Sequence, residues 1–523
     1  MPRSTNTETT RTPRRAGGGR GGVRTAGRGG AGTVHQLPYQ QVRNNLPLIE
    51  FLPEAGIERI HQASMRILSE IGIEVLYPPA RDYYKSAGCK IEGQKVFFDP
   101  EAVMEYVSKA PEKFSLTARN PERNVMMGDR YITAALMGSA PNCSDMDHGR
   151  RPGNKADFIK LLKLGHSVNA VNVIAGYPVE PIDIPADIRH LEALRLTAIH
   201  TDRVFNGYCL GPQRARDAME IARLANGVSN EEFERNHYIF SVINTNSPLR
   251  LDNPMANGII EFAKRNQVTC ITPFTLAGAM APVTLAAALS QQNAEGLAGV
   301  MLSQIVRPGA PIIFGSFTSN VDMRSGAPAF GTPEYTKSAL ISGQLARRYK
   351  LPFRTSNANA SNAPDGQAVY ESMMALWGSF MGGVNLLKHG LGWLEGGLVC
   401  NFEKIILDAE MVQGMYEFLK PIGLEDSDFG FDAINDVGAG GHFFGSPHTM
   451  ERYESAFYSP LLSDWRNFET WREAGAKDAT QRANEIWKSL LENYESPAMD
   501  SEHLGALNDF VDRRIKEGGA PGM

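Results

Sequence analysis

The chain has 523 residues, 42% of them hydrophobic and 21% charged, with a formal net charge of −5, a composition ordinary for a globular protein long enough for one large domain or two. No run approaches 18 uninterrupted apolar residues, so a membrane span is not expected, and the N-terminus lacks the apolar stretch of a secretory signal, which points to the cytoplasm. Five scattered cysteines (Cys89, Cys143, Cys209, Cys270, Cys400) form no CxxC pair, arguing against a disulfide framework or structural zinc.

Residues 1–36 are rich in Gly, Arg and Thr, with seven arginines before residue 31 against the single acid Glu8. Such a stretch buries too little apolar surface to order itself and reads as a solvated tail. The remainder is acidic, so no nucleic-acid partner is expected.

Residues 37–154 read as an α+β lobe. An amphipathic helix runs over 53–72, short strands follow at 73–76 and 96–98, and a second helix, opened by Pro100, covers 100–110. From 155 to 420 apolar β-branched runs alternate with helices. The predicted strands are 171–178, 204–210, 238–244, 268–274, 311–317, 352–357 and 384–389; the helices after them are 186–200, 214–225, 254–264, 285–306, 333–348, 366–380 and 402–419. Seven βα units with a less clear eighth favour an α/β fold of the closed (β/α)8, or TIM barrel, type. A GxGxxG after the first strand and a GxxxxGK[ST] are both missing, which excludes the dinucleotide and P-loop readings. Residues 421–523 form a C-terminal helical extension packing on the barrel, with helices at 426–437 and 476–494.

In such barrels the active site forms at the C-terminal strand ends. Those ends here carry Tyr177, Tyr208, Asn244, Phe274, Phe317, Asn357, His389, Trp393 and Glu395, an aromatic inventory poor in charge. Divalent-metal barrels gather several carboxylates or histidines, so no tightly bound metal is expected. His442, His448 and Glu451 have a weak spacing for a metal site. Lys388 is the one lysine near the mouth, and alternation along the strand is expected to turn it away from His389. Aromatic, sparsely charged cavities suit quaternary ammonium groups, held by ring faces at about 0.5–2 kcal/mol per contact. Tyr208, Phe274, Phe317 and Trp393 are the candidates for that cage. His389 and Asn357 are candidates to hold a carboxylate or hydroxyl, with Glu395 orienting His389. No side chain is assigned as a catalytic acid or base.

The run SNAPDGQAVYESMMALWGSFMGG with HGLGWLEGGL, the block GHFFGSPHTMERYESAFYSPLLSDWRNFETWREAGAKD, and ARNPERNVMMG at 118–128 together resemble the trimethylamine methyltransferase family. The resemblance extends over nearly the whole chain beyond about residue 35. It implies a barrel enzyme that passes a methyl group from a methylated amine to the cobalt of a separate corrinoid-binding protein, with the cobalamin face received over the 359–365 loop. Members of the family that act on trimethylamine carry pyrrolysine after the sixth of the predicted strands. The aligned place here is near Ala363, and only standard residues occur, which fits the pyrrolysine-lacking branch resembling glycine betaine:corrinoid methyltransferases. The chemistry agrees. A neutral amine would have to expel an amide anion, whereas a quaternary ammonium leaves as a neutral amine and needs only desolvation and alignment. The expectation is a methyltransferase for a small quaternary amine, in an oligomer of identical subunits. The alternatives are a quaternary-amine-binding barrel without methyl transfer and a barrel lyase or hydrolase using His389 with His442.

Overall fold

A computed structural model describes residues 34–520; most of the Arg/Gly-rich tail, residues 1–33, lies outside the described residues. Eight parallel segments close into a barrel. They are β1 (Tyr131–Leu136), β2 (the paired residues Val173 and Ile174), β3 (Phe205–Asn206), β4 (Ile239–Ile243), β5 (Val268–Ile271), β6 (Ile312–Gly315), β7 (Phe353–Ser356) and β8 (Leu386–Leu391). Neighbours pair in chain order, β8 pairs back to β1 in parallel, and the ring is completed by Ala135 beside Val173 and Ile174 beside Phe205.

Each strand is followed by a helix: α1 (Lys155–Ser167), α2 (Arg189–His200), α3 (Pro212–Asn226), α4 (Asn253–Lys264), α5 (Leu285–Val306), α6 (Pro333–Arg348), α7 (Gly366–Gly382) and α8 (Phe402–Phe418). The starts are encoded locally. Asp252, Thr332, Asp365 and Asn401 each accept a backbone N–H of the first turn through their side chains, satisfying donors that the helix leaves open.

The barrel thus begins at Tyr131, inside the stretch read as the N-terminal lobe, and the boundary at 154/155 is corrected accordingly. The strand expected at 171–178 shrinks to a two-residue bridge, and α1 was not anticipated. Inside the barrel, Ala135, Val173, Phe240, Val268, Cys270, Ile313 and Leu386 form an apolar core. The antiparallel ribbon Phe114–Leu116 with Val125–Met127 belongs to that same cluster.

The N-terminal elements cover α5. Tyr84 donates to the Ala298 carbonyl at 2.8 Å and Ser64 to that of Ser290 at 2.9 Å. This covering explains why α5 is buried from Ala288 to Gln304. Helix Ala479–Glu492 packs on α8, where Trp487 Nε1 and Asn484 Nδ2 both donate to Glu403. Helix Ser501–Lys516, absent from the sequence reading, returns to α3 through the Arg514–Asp217 ion pair at 2.9 Å. Among the described residues no helix is long and apolar enough to cross a membrane.

Candidate active site

The C-terminal mouth holds a cavity of about 250 Å3. Its wall is built above β5 and β6, where the chain resumes after a break as a parallel pair, Phe274–Ala277 with Phe317–Val321. That register sets Phe274 opposite Phe317, and their rings stack at 5.3 Å. Trp393, from the strand after β8, lies 5.7 Å from Phe317 and 4.8 Å from the His389 ring. Its indole N–H donates to the Asn359 carbonyl, which fixes the ring, while Asn359 Nδ2 donates to the Trp393 backbone carbonyl, which fixes the chain at that residue. Phe330, which the sequence reading did not single out, backs Phe317 at 5.2 Å and Trp393 at 5.9 Å.

The floor of the cavity is cationic. Arg354 on β7 and Lys388 on β8 both line it and are 2% and 5% exposed. The expectation that Lys388 faces away from His389 is overturned. Period-two alternation points Lys388 inward above Leu386, and a left-handed residue at His389 (φ 56°) with a register shift between Leu387 and Leu391 turns the His389 ring inward as well. This is the re-aiming that a β-bulge performs near active sites.

Arg354 donates to the Ser316 carbonyl at 3.2 Å, and its guanidinium sits 5.1 Å from the Phe317 ring centre. Its Nε is buried without a hydrogen-bond partner. Burial lowers its pKa, and burial followed by the Arg354 charge brings Lys388 down to about 7. Among the described residues no carboxylate acts on either group; Cys270 and Tyr335 are the nearby acids.

His389 is held neutral. Burial first, then Lys388 and Arg354, press its pKa well below the ordinary imidazole value. Its Nδ1 accepts the Gly138 N–H at 3.2 Å, which leaves Nε2 as the protonated nitrogen.

Of the residues singled out from sequence, Asn244, Phe274, Phe317, His389 and Trp393 line this one cavity. Phe317 already has the Arg354 guanidinium against its ring and Phe274 stacked on it, so Phe274 and Trp393 are the rings left for a ligand. Tyr208 is displaced from the wall: its hydroxyl is bound to Ser139 and accepts the Tyr177 N–H. Asn357 does not reach a ligand either, because Nδ2 donates to the Gly390 carbonyl and to Asp408, both at 2.9 Å. Glu395 does not orient His389; both its oxygens take the Nε–H of Arg150, at 3.1 and 3.0 Å. Ala363 is exposed in the turn before α7 and does not line the cavity.

The 359–365 loop does not line the opening. The rim is the exposed Ser139, Pro141 and Leu398 with the half-buried Gly397, all uncharged. Beneath the β7 and β8 loops lies the ion pair of Lys404 and Asp408, both fully buried on α8. Asp408 also accepts the Gly392 N–H at 2.8 Å, and Lys404 reaches Ser372.

His442 and His448 sit in the 431–452 region and line no part of the cavity. Among the described residues the gathered donor group is Asp145, Asp147 and His148. Asp145 is paired with Arg151 and Asp147 with Lys488.

Comparison with known proteins places the chain. The family model described as trimethylamine methyltransferase (MTTB) matches residues 16–519. Similar curated proteins include a glycine betaine methyltransferase of Desulfitobacterium hafniense (strain Y51), 36% identical over 91% of this chain and 99% of that one. The trimethylamine methyltransferase MttB of another strain of that organism (DSM 10664 / DCB-2) is 27% identical over 88% and 93% of the two chains. The crystal structure of the hydroxylamine MtmB complex superposes with a TM-score of 0.52 at 13% identity, covering 90% of each chain, a likeness of fold. The chain belongs to the trimethylamine methyltransferase (MTTB) family.

Proposed function

We propose that the protein transfers a methyl group from a small quaternary ammonium compound of the betaine type to Co(I) of a corrinoid carried by a partner protein. The observation that carries this reading is the cavity at the barrel mouth, walled by Phe274, Phe317 and Trp393 and free of any lining carboxylate or metal-ligand cluster. Its volume of about 250 Å3 lies below the roughly 300–1,000 Å3 of drug-sized sites and suits a compact ligand.

The transfer needs no general acid. The methyl carbon leaves nitrogen without the bonding pair, which stays on the departing tertiary amine, and accepts the electron pair that reduced cobalt supplies. No proton moves. The residues bind and align: the Phe274 and Trp393 rings face the ammonium, the Asn359 bonds fix Trp393, and the apolar wall takes the place of water around the reacting N–CH3. The small rim of Gly397, Leu398, Ser139 and Pro141 leaves room for a flat macrocycle to approach.

His389 is a weak base whose Nδ1 is taken by the Gly138 N–H, and the exposed His442 lies outside the cavity, which weighs against acid–base lysis or hydrolysis by this pair. Incubating the protein with chemically reduced cobalamin and glycine betaine should produce the methylcobalamin spectrum and dimethylglycine. Tight binding of betaine with no methylated cobalamin would favour the non-catalytic binding protein instead.

A further inference from the structure

The mouth holds two buried cations that methyl transfer from a bare quaternary ammonium does not use and that would repel one. We propose that Arg354 and Lys388 form an anion subsite that admits the carboxylate of a zwitterionic substrate, selecting betaines over choline or tetramethylammonium. The inference rests on the functional reading above and adds the residues that set its specificity.

Its basis is geometric. Both side chains rise from the inward positions of adjacent strands β7 and β8 and share one cavity with Phe274 and Trp393. Buried charges in proteins are ordinarily paired, yet neither forms an ion pair among the described residues, and Arg354 Nε is buried without a hydrogen-bond partner. The titratable groups facing Lys388 are Arg354 from β7, Cys270 from β5 and His389 beside it on β8; none is anionic at neutral pH, burial having raised the Cys270 thiol. A carboxylate supplied by the ligand would give Arg354 Nε its missing acceptor and neutralise the floor. The Phe274 and Trp393 rings, which line the same cavity, would take the ammonium. A cation lacking the carboxylate would meet the same rings but also two unneutralised charges.

Protonation adds a signature. Lys388 titrates near 7 in the free protein, and a bound carboxylate favours its charged form. Betaine affinity is therefore greatest below that value and declines as pH rises through it; choline affinity does not decline in that range.

The test uses the full chain and calorimetry with glycine betaine, choline and tetramethylammonium from pH 6 to 9, with no corrinoid present. The wild type should bind betaine at least about tenfold more tightly than choline. R354Q and K388Q should each weaken betaine binding about 10- to 100-fold, the span typical of a lost charged hydrogen bond, while choline binding is kept or tightens, a repelling charge having been removed, and so reports that the variants are folded. The wild-type pH dependence needs no variant. Equal losses for betaine and choline in both variants, or a wild type with no preference for betaine, overturns the subsite while leaving the methyltransferase reading standing. A wild type that binds none of the three compounds refutes that reading and the subsite with it.

Discussion

Replacing Phe274 with leucine isolates the ring electrostatics on which ammonium recognition depends. Leucine keeps an apolar side chain at the wall but removes the π face. Phe274 is only partly buried, and its main aromatic partner is Phe317 at 5.3 Å, so the variant forgoes about 0.5–1.5 kcal/mol of ring pairing in stability and folds. The cation–ring contact is worth about 0.5–2 kcal/mol, which converts to about a 2- to 30-fold rise in the glycine betaine dissociation constant. The control ligand is tert-butylacetate, the carbon isostere of betaine, which presents the same shape and carboxylate without the positive charge. In calorimetry the wild type should prefer betaine over the isostere, and F274L should narrow that preference by the same factor, Trp393 remaining, while binding the isostere almost as the wild type does. An unchanged ratio between the two ligands would refute the role assigned to the Phe274 ring, and a matched loss of both would reduce it to shape.

Three further outcomes test the supports of the site. K404M should lower stability by about 3–5 kcal/mol, because Asp408 is then left charged and unpaired in a fully buried position; a loss below about 1 kcal/mol in urea denaturation contradicts the support role of that pair. His389 has its pKa depressed, so the ring is uncharged at every pH above that lowered value and does not change charge near its ordinary value of about 6.5. Any inflection of kcat/KM near neutral pH should therefore persist in H389N, and its disappearance would mean that the imidazole titrates there. E395Q should change betaine affinity less than twofold, since Glu395 is engaged by the half-exposed Arg150 and such pairs contribute about 0–1 kcal/mol; a loss of tenfold would return Glu395 to the binding site.

Apart from α1 and helix Ser501–Lys516, the main helices were legible because their signals are local. Pro333 and Thr332 open α6 where the periodicity begins, and α5 runs from Leu285 to Val306 as its apolar pattern predicts. Strand β1 was not, because Tyr131–Leu136 is followed by a hairpin, Asn142–Asp145 with Gly149–Pro152, rather than directly by its helix, and so lacks the βα rhythm that marked the others. At the site, position at a strand end identified Phe274, Phe317, His389 and Trp393. It misplaced Asn357 and Glu395, whose partners Asp408 and Arg150 are 51 and 245 residues away in sequence. Arg354 and Lys388 were passed over for a different reason. Arg354 lies within an apolar strand, and alternation admits only one of Lys388 and His389 to the cavity unless the left-handed backbone at His389 turns its ring in beside Lys388, which no residue type there announces.

The most direct measurement is a single-turnover assay of the purified protein with cob(I)alamin and glycine betaine labelled in its N-methyl groups, read by absorbance and mass spectrometry. The account predicts one label moved to cobalt for each molecule of dimethylglycine formed, at a rate that falls when Trp393 is replaced by alanine. Label remaining entirely on the amine, with betaine bound at the barrel mouth, would contradict it.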